Sequence, residues 1–275
     1  MLAAFLLAVR EGLEAALIIG IVLSALRQTQ RRELVPAVWT GVLAALLVCS
    51  GVALGLNSLG LRLEGAAEQI FEGITMLLAA ALLTWMIFWL SRQAPGLKAD
   101  LEAGTRRASQ AGWWSLCGLA FLAVLREGVE LALFLTAASL TAGAQPTLIG
   151  ALLGLAVAVL LGLLAFASTV RLDMQAFFRV TGFLLLLFSA GLVAHGIHEF
   201  NEVGWIPALI APVWDLNPVL DEGSVPGMLL KALFGYNGNP SLTEVLAYGL
   251  YCAAVLLGLR AAGGAGKARG VQGTV

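Results

Sequence analysis

The sequence predicts an all-α integral membrane protein. It has seven transmembrane helices, an inverted three-helix repeat (helices 1–3 and 4–6) plus helix 7, with the N-terminus outside and the C-terminus inside. Three observations predict this. Seven apolar stretches reach the roughly 18 residues that a membrane-crossing helix needs. Only 12% of the 275 residues are charged and mean hydropathy is +0.91, whereas a soluble domain is about 25% charged. The pentapeptide Arg10-Glu11-Gly12-Leu13-Glu14 returns as Arg126-Glu127-Gly128-Val129-Glu130, each copy inside an apolar stretch.

Span 1, about 2–26, carries the first pentapeptide. It has no basic n-region and no small-residue cleavage site, so it reads as a retained helix. Span 2 covers about 35–56 and is uninterrupted by charge, and span 3, about 68–90, opens on Glu68 and Glu72. Span 4, about 113–140, carries the second pentapeptide, and span 5 covers about 147–170. Span 6, about 177–197, ends in His195, with His198 and Glu199 just beyond. The longest loop, about 198–241, contains two short apolar pieces, 205–214 and 227–236, each either interfacial or re-entrant. Span 7 is about 242–259.

The expected organisation is one transmembrane domain over 1–262. It comprises repeat one (about 1–91), repeat two (about 113–199), the outer loop and helix 7, and a flexible Gly-rich cytoplasmic tail follows over 263–275. Orientation follows from the basic residues, which collect on the cytoplasmic side. With the N-terminus outside, 12 of the 16 Lys and Arg fall in cytoplasmic segments. Arg62 and Lys231 fall outside, and Arg10 and Arg126 lie within spans. The three cysteines, Cys49, Cys117 and Cys252, all lie in apolar spans and give no disulfide framework.

The repeat extends beyond the pentapeptides. Phe5-Leu6 precedes the first copy as Phe121-Leu122 precedes the second, and Arg62-Leu63-Glu64 with Gly73 matches Arg171-Leu172-Asp173 with Gly182 at the same spacing. A unit of three spans is odd, so the second unit enters from the opposite side, a common transporter plan with the substrate site where the repeats meet. At about 1.5 Å per residue, both pentapeptides fall near the middle of a hydrocarbon core about 30 Å thick.

Charges at that depth mark ion pathways or relays. In Glu-x-x-Glu the two carboxylates share one helix face. Glu11, Glu14, Glu127 and Glu130 therefore offer four carboxylates to one position, and hard cations prefer oxygen ligands. Arg10 and Arg126 stand four residues before Glu14 and Glu130 as supporting ion-pair partners. The plainer reading, two buried ion pairs that set helix register, leaves one surplus negative charge per copy. Burying that charge requires a cation or a proton. Glu68, Glu72, His195, His198 and Glu199 lie toward the outer side as an outer relay for a cation, or as interfacial residues meeting water. They are not repeat copies, since Glu72 aligns with Thr181. The chain lacks a phosphate-binding Gly-x4-Gly-Lys-Ser/Thr loop and a Gly-x-Ser-x-Gly nucleophile elbow. A carboxylate di-metal enzyme would add Glu-x-x-His motifs, which the pentapeptides lack.

The two pentapeptides, at these places in a seven-span chain, resemble the paired motifs of the oxidase-dependent iron permeases. That family comprises the fungal high-affinity iron permeases and their bacterial EfeU-type relatives. The resemblance covers nearly the whole chain, including the late segment from Trp214-Asp215 to Gly235-Tyr236. It implies a non-enzymatic permease of the bacterial cytoplasmic (inner) membrane, with iron as transported substrate rather than a permanently bound cofactor. It implies iron ligation by Glu11, Glu14, Glu127 and Glu130, supported by Arg10 and Arg126. It implies a periplasmic iron-binding protein and a haem peroxidase or oxidase as partners, within a lipid bilayer, and no nucleic acid. The fungal Glu-x-x-Glu loop motif is not reproduced at Glu68 and Glu72, which are spaced Glu-x3-Glu. The residues themselves leave other multivalent cations open, lead, manganese and calcium among them.

Overall fold

The computed structural model describes residues 1–60, 63–93, 97–167 and 174–271. The described residues form helices and connecting turns, with no strand among them. The helices are α1 (Leu2–Gln28), α2 (Val35–Gly60), α3 (Ala66–Gln93), α4 (Leu97–Ala111), α5 (Trp113–Ala142), α6 (Ala144–Ala167), α7 (Met174–Glu202), α8 (Val225–Phe234) and α9 (Leu242–Val271). Five of them, α2, α3, α6, α7 and α9, contain stretches long and apolar enough to cross a membrane. α1 and α5 are 27 and 30 residues long, but each carries one arginine and two glutamates of a pentapeptide.

Small residues set the packing, because a glycine lets two helix backbones approach closely. α1 runs parallel to α6: Gly150 and Gly154 lie on Phe5, Gly12 on Ala158, and Gly162 on Ala16. α2 runs parallel to α5, with Gly41 on Cys117 and Phe121 and Cys49 on Gly128. α3 and α7 are antiparallel, Gly73 lying against Gly196 and Phe200 near the start of α3 and Gly182 against Ile87 toward its end. These pairings give the bundle two ends. The first end gathers the start of α1, the end of α7, the loop 203–241 and the start of α9. The second gathers the end of α1, α4 and the start of α5.

An apolar core joins α1, α3, α5 and α7 through Leu7, Met76, Leu83, Phe134, Leu185 and Leu192. A second core, nearer the second end, joins α1, α2, α4 and α5 through Val22, Leu26, Val38, Ala108 and Leu116. α9 packs mainly on α7 and reaches α3 through the Tyr251 hydroxyl, 2.6 Å from Thr84 Oγ1.

The structure adds two helices to the predicted spans. α4 fills the stretch between the proposed repeats. Thr105, Ala108 and Ser109 are buried while Arg106 and Arg107 are exposed, so one face of this polar helix meets the bundle. α8 forms from the second apolar piece of the long loop. Ser224 caps it by accepting a hydrogen bond from Gly227 N at 3.1 Å, a proline stands in its first turn, and Gly235 ends it in the left-handed region at φ +66°. The first apolar piece, 205–214, forms no helix; Trp205 instead stacks on Phe200 with ring centroids 5.6 Å apart. The last helix is Leu242–Val271, so it runs into the Gly-rich stretch expected as a tail. Arg62 and residues 171–173, which anchor the downstream repeat match, lie outside the described residues.

Candidate metal site

α1 and α5 bring the two pentapeptides together. Each motif glutamate pair sits on one face of its helix, three residues apart, and the faces meet inside the bundle. Glu11, Glu14 and Glu127 each present a carboxylate oxygen within 4.8 Å of the other two. Glu11 is 1% exposed, and the side chains of Glu14, Glu127 and Glu130 are largely buried. Glu130 joins the cluster through Arg126, whose Nε donates to Glu130 Oε1 at 3.0 Å and lies 3.9 Å from Glu127 Oε1.

The carboxylates are short of hydrogen bonds. Both oxygens of Glu11, Oε1 of Glu14, and Oε2 of Glu127 and Glu130 are buried with no hydrogen-bond partner. Arg10 Nε stands 3.3 Å from Glu14 Oε1, an ion pair by distance. It is not aligned as a hydrogen bond, and Arg10 Nε and Nη1 have no hydrogen-bond partner either. Buried polar groups are ordinarily satisfied, and an unsatisfied one costs about 1–3 kcal/mol, more when charged. Counted as ionised, four glutamates and two arginines carry a formal surplus of two negative charges inside the bundle. An oxygen-binding cation fits such a donor set.

The glycines within the motifs serve packing. A Cβ on Gly12 would lie 2.7 Å from Ala158 Cβ, and one on Gly128 would collide with Cys49 Sγ. The close approach of α6 and α2 to the motif helices therefore needs glycine at both places.

The predicted outer residues divide. Glu68 is exposed and Glu72 half-buried at the start of α3. Both bear electrostatically on neighbouring acids of α7, Glu199 and Glu202. His195 and Glu199, four residues apart on α7, form no pair among the described contacts. His195 Nδ1 instead lies 3.0 Å from the carbonyl of Gly191. The pair that forms is His198 with Glu202, at 3.3 Å, and His198 also meets Glu244 of α9 at 3.0 Å. Glu202 also accepts from Gln69 Nε2 of α3 at 2.5 Å. The spacing of His198 and Glu202 was present in the sequence. Nothing local pointed to Glu244, 46 positions away.

Residues 1–265 match the iron permease FTR1 family. The chain belongs to that family. It is 39% identical over 251 residues to the ferrous iron permease EfeU of Escherichia coli O6:K15:H31, covering 90% of this chain and 91% of the relative. To the ferrous iron permease EfeU of Yersinia pestis it is 36% identical over 256 residues, covering 92% and 91%. The protein of Escherichia coli strain K12, named a putative inactive ferrous iron permease, is 39% identical over 251 residues. No solved structure matches the chain. Family and apolar helices together make this an integral protein of the bacterial inner membrane and a member of an iron permease family.

Proposed function

We propose that the chain moves iron as a divalent ion into the cytoplasm through the site formed by Glu11, Glu14, Glu127 and Glu130. The observation that carries this reading is the close set of buried carboxylate oxygens without hydrogen-bond partners. The surplus of two negative charges equals the charge of one divalent cation. Exchange of that cation for two protons leaves the site's net charge unchanged, which makes a proton gradient a workable driving force. The relatives are named ferrous iron permeases, which agrees with this balance.

The topology belongs to the same proposal: seven spans, an inverted repeat, and the first end facing outside. The packing supports the repeat. Gly41 on Cys117 and Phe121 is repeated by Gly150 on Met1 and Phe5. Gly41 and Gly150 are 109 positions apart, as are Cys49 and Ala158, which cover Gly128 and Gly12. Met1 and Cys117 are 116 apart, as are Gly12 and Gly128. The Gly73–Gly196 contact has its counterpart in Gly182–Ile87, again 109 apart. Exchange of the two units thus maps one set of helix contacts onto the other. The exposed arginines of α4 at the second end support a cytoplasmic second end.

The test is uptake of labelled ferrous and ferric iron into proteoliposomes. Uptake of ferrous iron is expected, with Glu14→Ala and Glu130→Ala each reducing it by about a hundredfold or more while the protein is still produced and folded. Full uptake by both variants would overturn the site. An all-oxygen donor set also suits manganese and calcium, and competition of those ions against labelled ferrous iron separates the readings.

A further inference from the structure

The loop helix α8 has no counterpart in the repeat, yet it touches α1, α5 and α7. Its C-terminal cap, Gly235, rests directly on the backbone of Gly191 in α7, and a Cβ on either glycine would collide with the Cα of the other. Gly191 stands 11 residues before the end of α7 at Glu202. At about 1.5 Å per residue that is roughly 16 Å into the bundle. Its neighbour Leu192 shares an apolar core with Leu7, which is one helical turn before Glu11. α8 therefore reaches from the first end toward the level of the carboxylates. The residue of α3 that stands 109 positions before Gly191 is Leu82, so no glycine offers this contact in the other repeat.

Two further features bear on α8. A cavity of about 370 Å³ flanks it, lined by Ala194, Trp214, Leu216, Leu230, Phe234 and Tyr248 among others. Its tether is polar: Lys231 Nζ meets Glu222 Oε2 at 3.2 Å, and Gly238 N donates to Glu222 Oε1 at 2.7 Å.

We propose that α8 is a plug that closes the first-end route to the four-carboxylate site, with Gly191 and Gly235 as the positioning residues that seat it on α7. The proposal rests on the site reading given above. Leu7 is fully buried, packed with core residues of α3, α5 and α7 one turn before Glu11; movement of α8 into the flanking cavity opens the route toward it.

The test uses the full chain with its three native cysteines replaced by alanine and a reporter cysteine at Leu7→Cys. A membrane-impermeant methanethiosulfonate is added to intact cells. Leu209→Cys, on the exposed first-end loop, serves as the control that this end faces outside. Slow labelling of Leu7→Cys is expected in the otherwise unaltered chain. Gly191→Ala accelerates it about tenfold as the plug population shifts, and Glu222→Gln, which loosens only the tether, about threefold. Should Gly191→Ala fail to fold, Glu222→Gln decides. Unchanged labelling in the folded variants, with Leu209→Cys labelled, overturns the plug. So does labelling of Leu7→Cys as fast as Leu209→Cys before any further change. Iron binding by purified Glu14→Ala is measured alongside: retained binding there removes the site and leaves the labelling result standing on its own.

Discussion

The two pentapeptides differ in one hydrophobic residue, yet their arginines occupy opposite environments. Arg10 is 1% exposed, whereas the Arg126 side chain is 43% exposed. Arg126 makes an aligned hydrogen bond to Glu130, while Arg10 holds Glu14 by charge at 3.3 Å without alignment. Local sequence cannot produce that difference. The helix contacts that flank the motifs are themselves repeated, Gly12 on Ala158 against Gly128 on Cys49. The lesson is that two nearly identical pentapeptides can hold their arginines in different environments, buried in one copy and half-exposed in the other.

The largest expected effect tests that contrast directly. Arg10→Ala removes the ion-pair partner of Glu14 at 3.3 Å and leaves buried acids less compensated, a change of about 3–5 kcal/mol. Arg126→Ala also leaves a buried acid, Glu130, without its hydrogen-bonded partner, but the cation removed is itself 43% exposed, so a smaller loss is expected. Thermal unfolding of the purified proteins in detergent measures both. Equal losses would dissolve the distinction between the copies.

Much of the site was legible because charges stand out in apolar sequence. Glu11, Glu14, Glu127 and Glu130 were placed on facing helices from spacing and topology alone, and the structure gathers three of them within 4.8 Å. The pairing of His198 with Glu244 was not legible, since it depends on how α9 docks against α7. The fate of the long loop was equally hidden. Its two apolar pieces look alike in composition, but only 225–234 is flanked by Ser224 and Gly235, which cap a helix at both ends. The exposure of Arg126 against the burial of Arg10 has no signal in either pentapeptide.

A middle-sized effect is expected where the copies are alike. Gly12→Ala and Gly128→Ala each insert a methyl group into a helix contact that has no room for it, and overpacking of this kind costs about 1–3 kcal/mol. The same unfolding measurement checks them. Loss of similar size in both sharpens the view that the motif helices are clasped symmetrically. A large loss in one alone would confine the symmetry to the sequence.

The smallest effect concerns the residue at which the two clasps differ. Cys49 covers Gly128 where Ala158, 109 positions later, covers Gly12. The thiol adds only a weak contact, Sγ to the carbonyl of Leu125 at 3.7 Å. Cys49→Ala makes the second clasp chemically like the first, and is expected to cost about 1 kcal/mol or less. It also removes the sulfur atom that Gly128→Ala would strike, leaving the Cys49 Cβ at 3.1 Å as the nearest neighbour. The double variant Cys49→Ala with Gly128→Ala should therefore unfold at a higher temperature than Gly128→Ala alone. Without such a rescue, the strain lies in the α2 and α5 backbones themselves and not in the cysteine side chain.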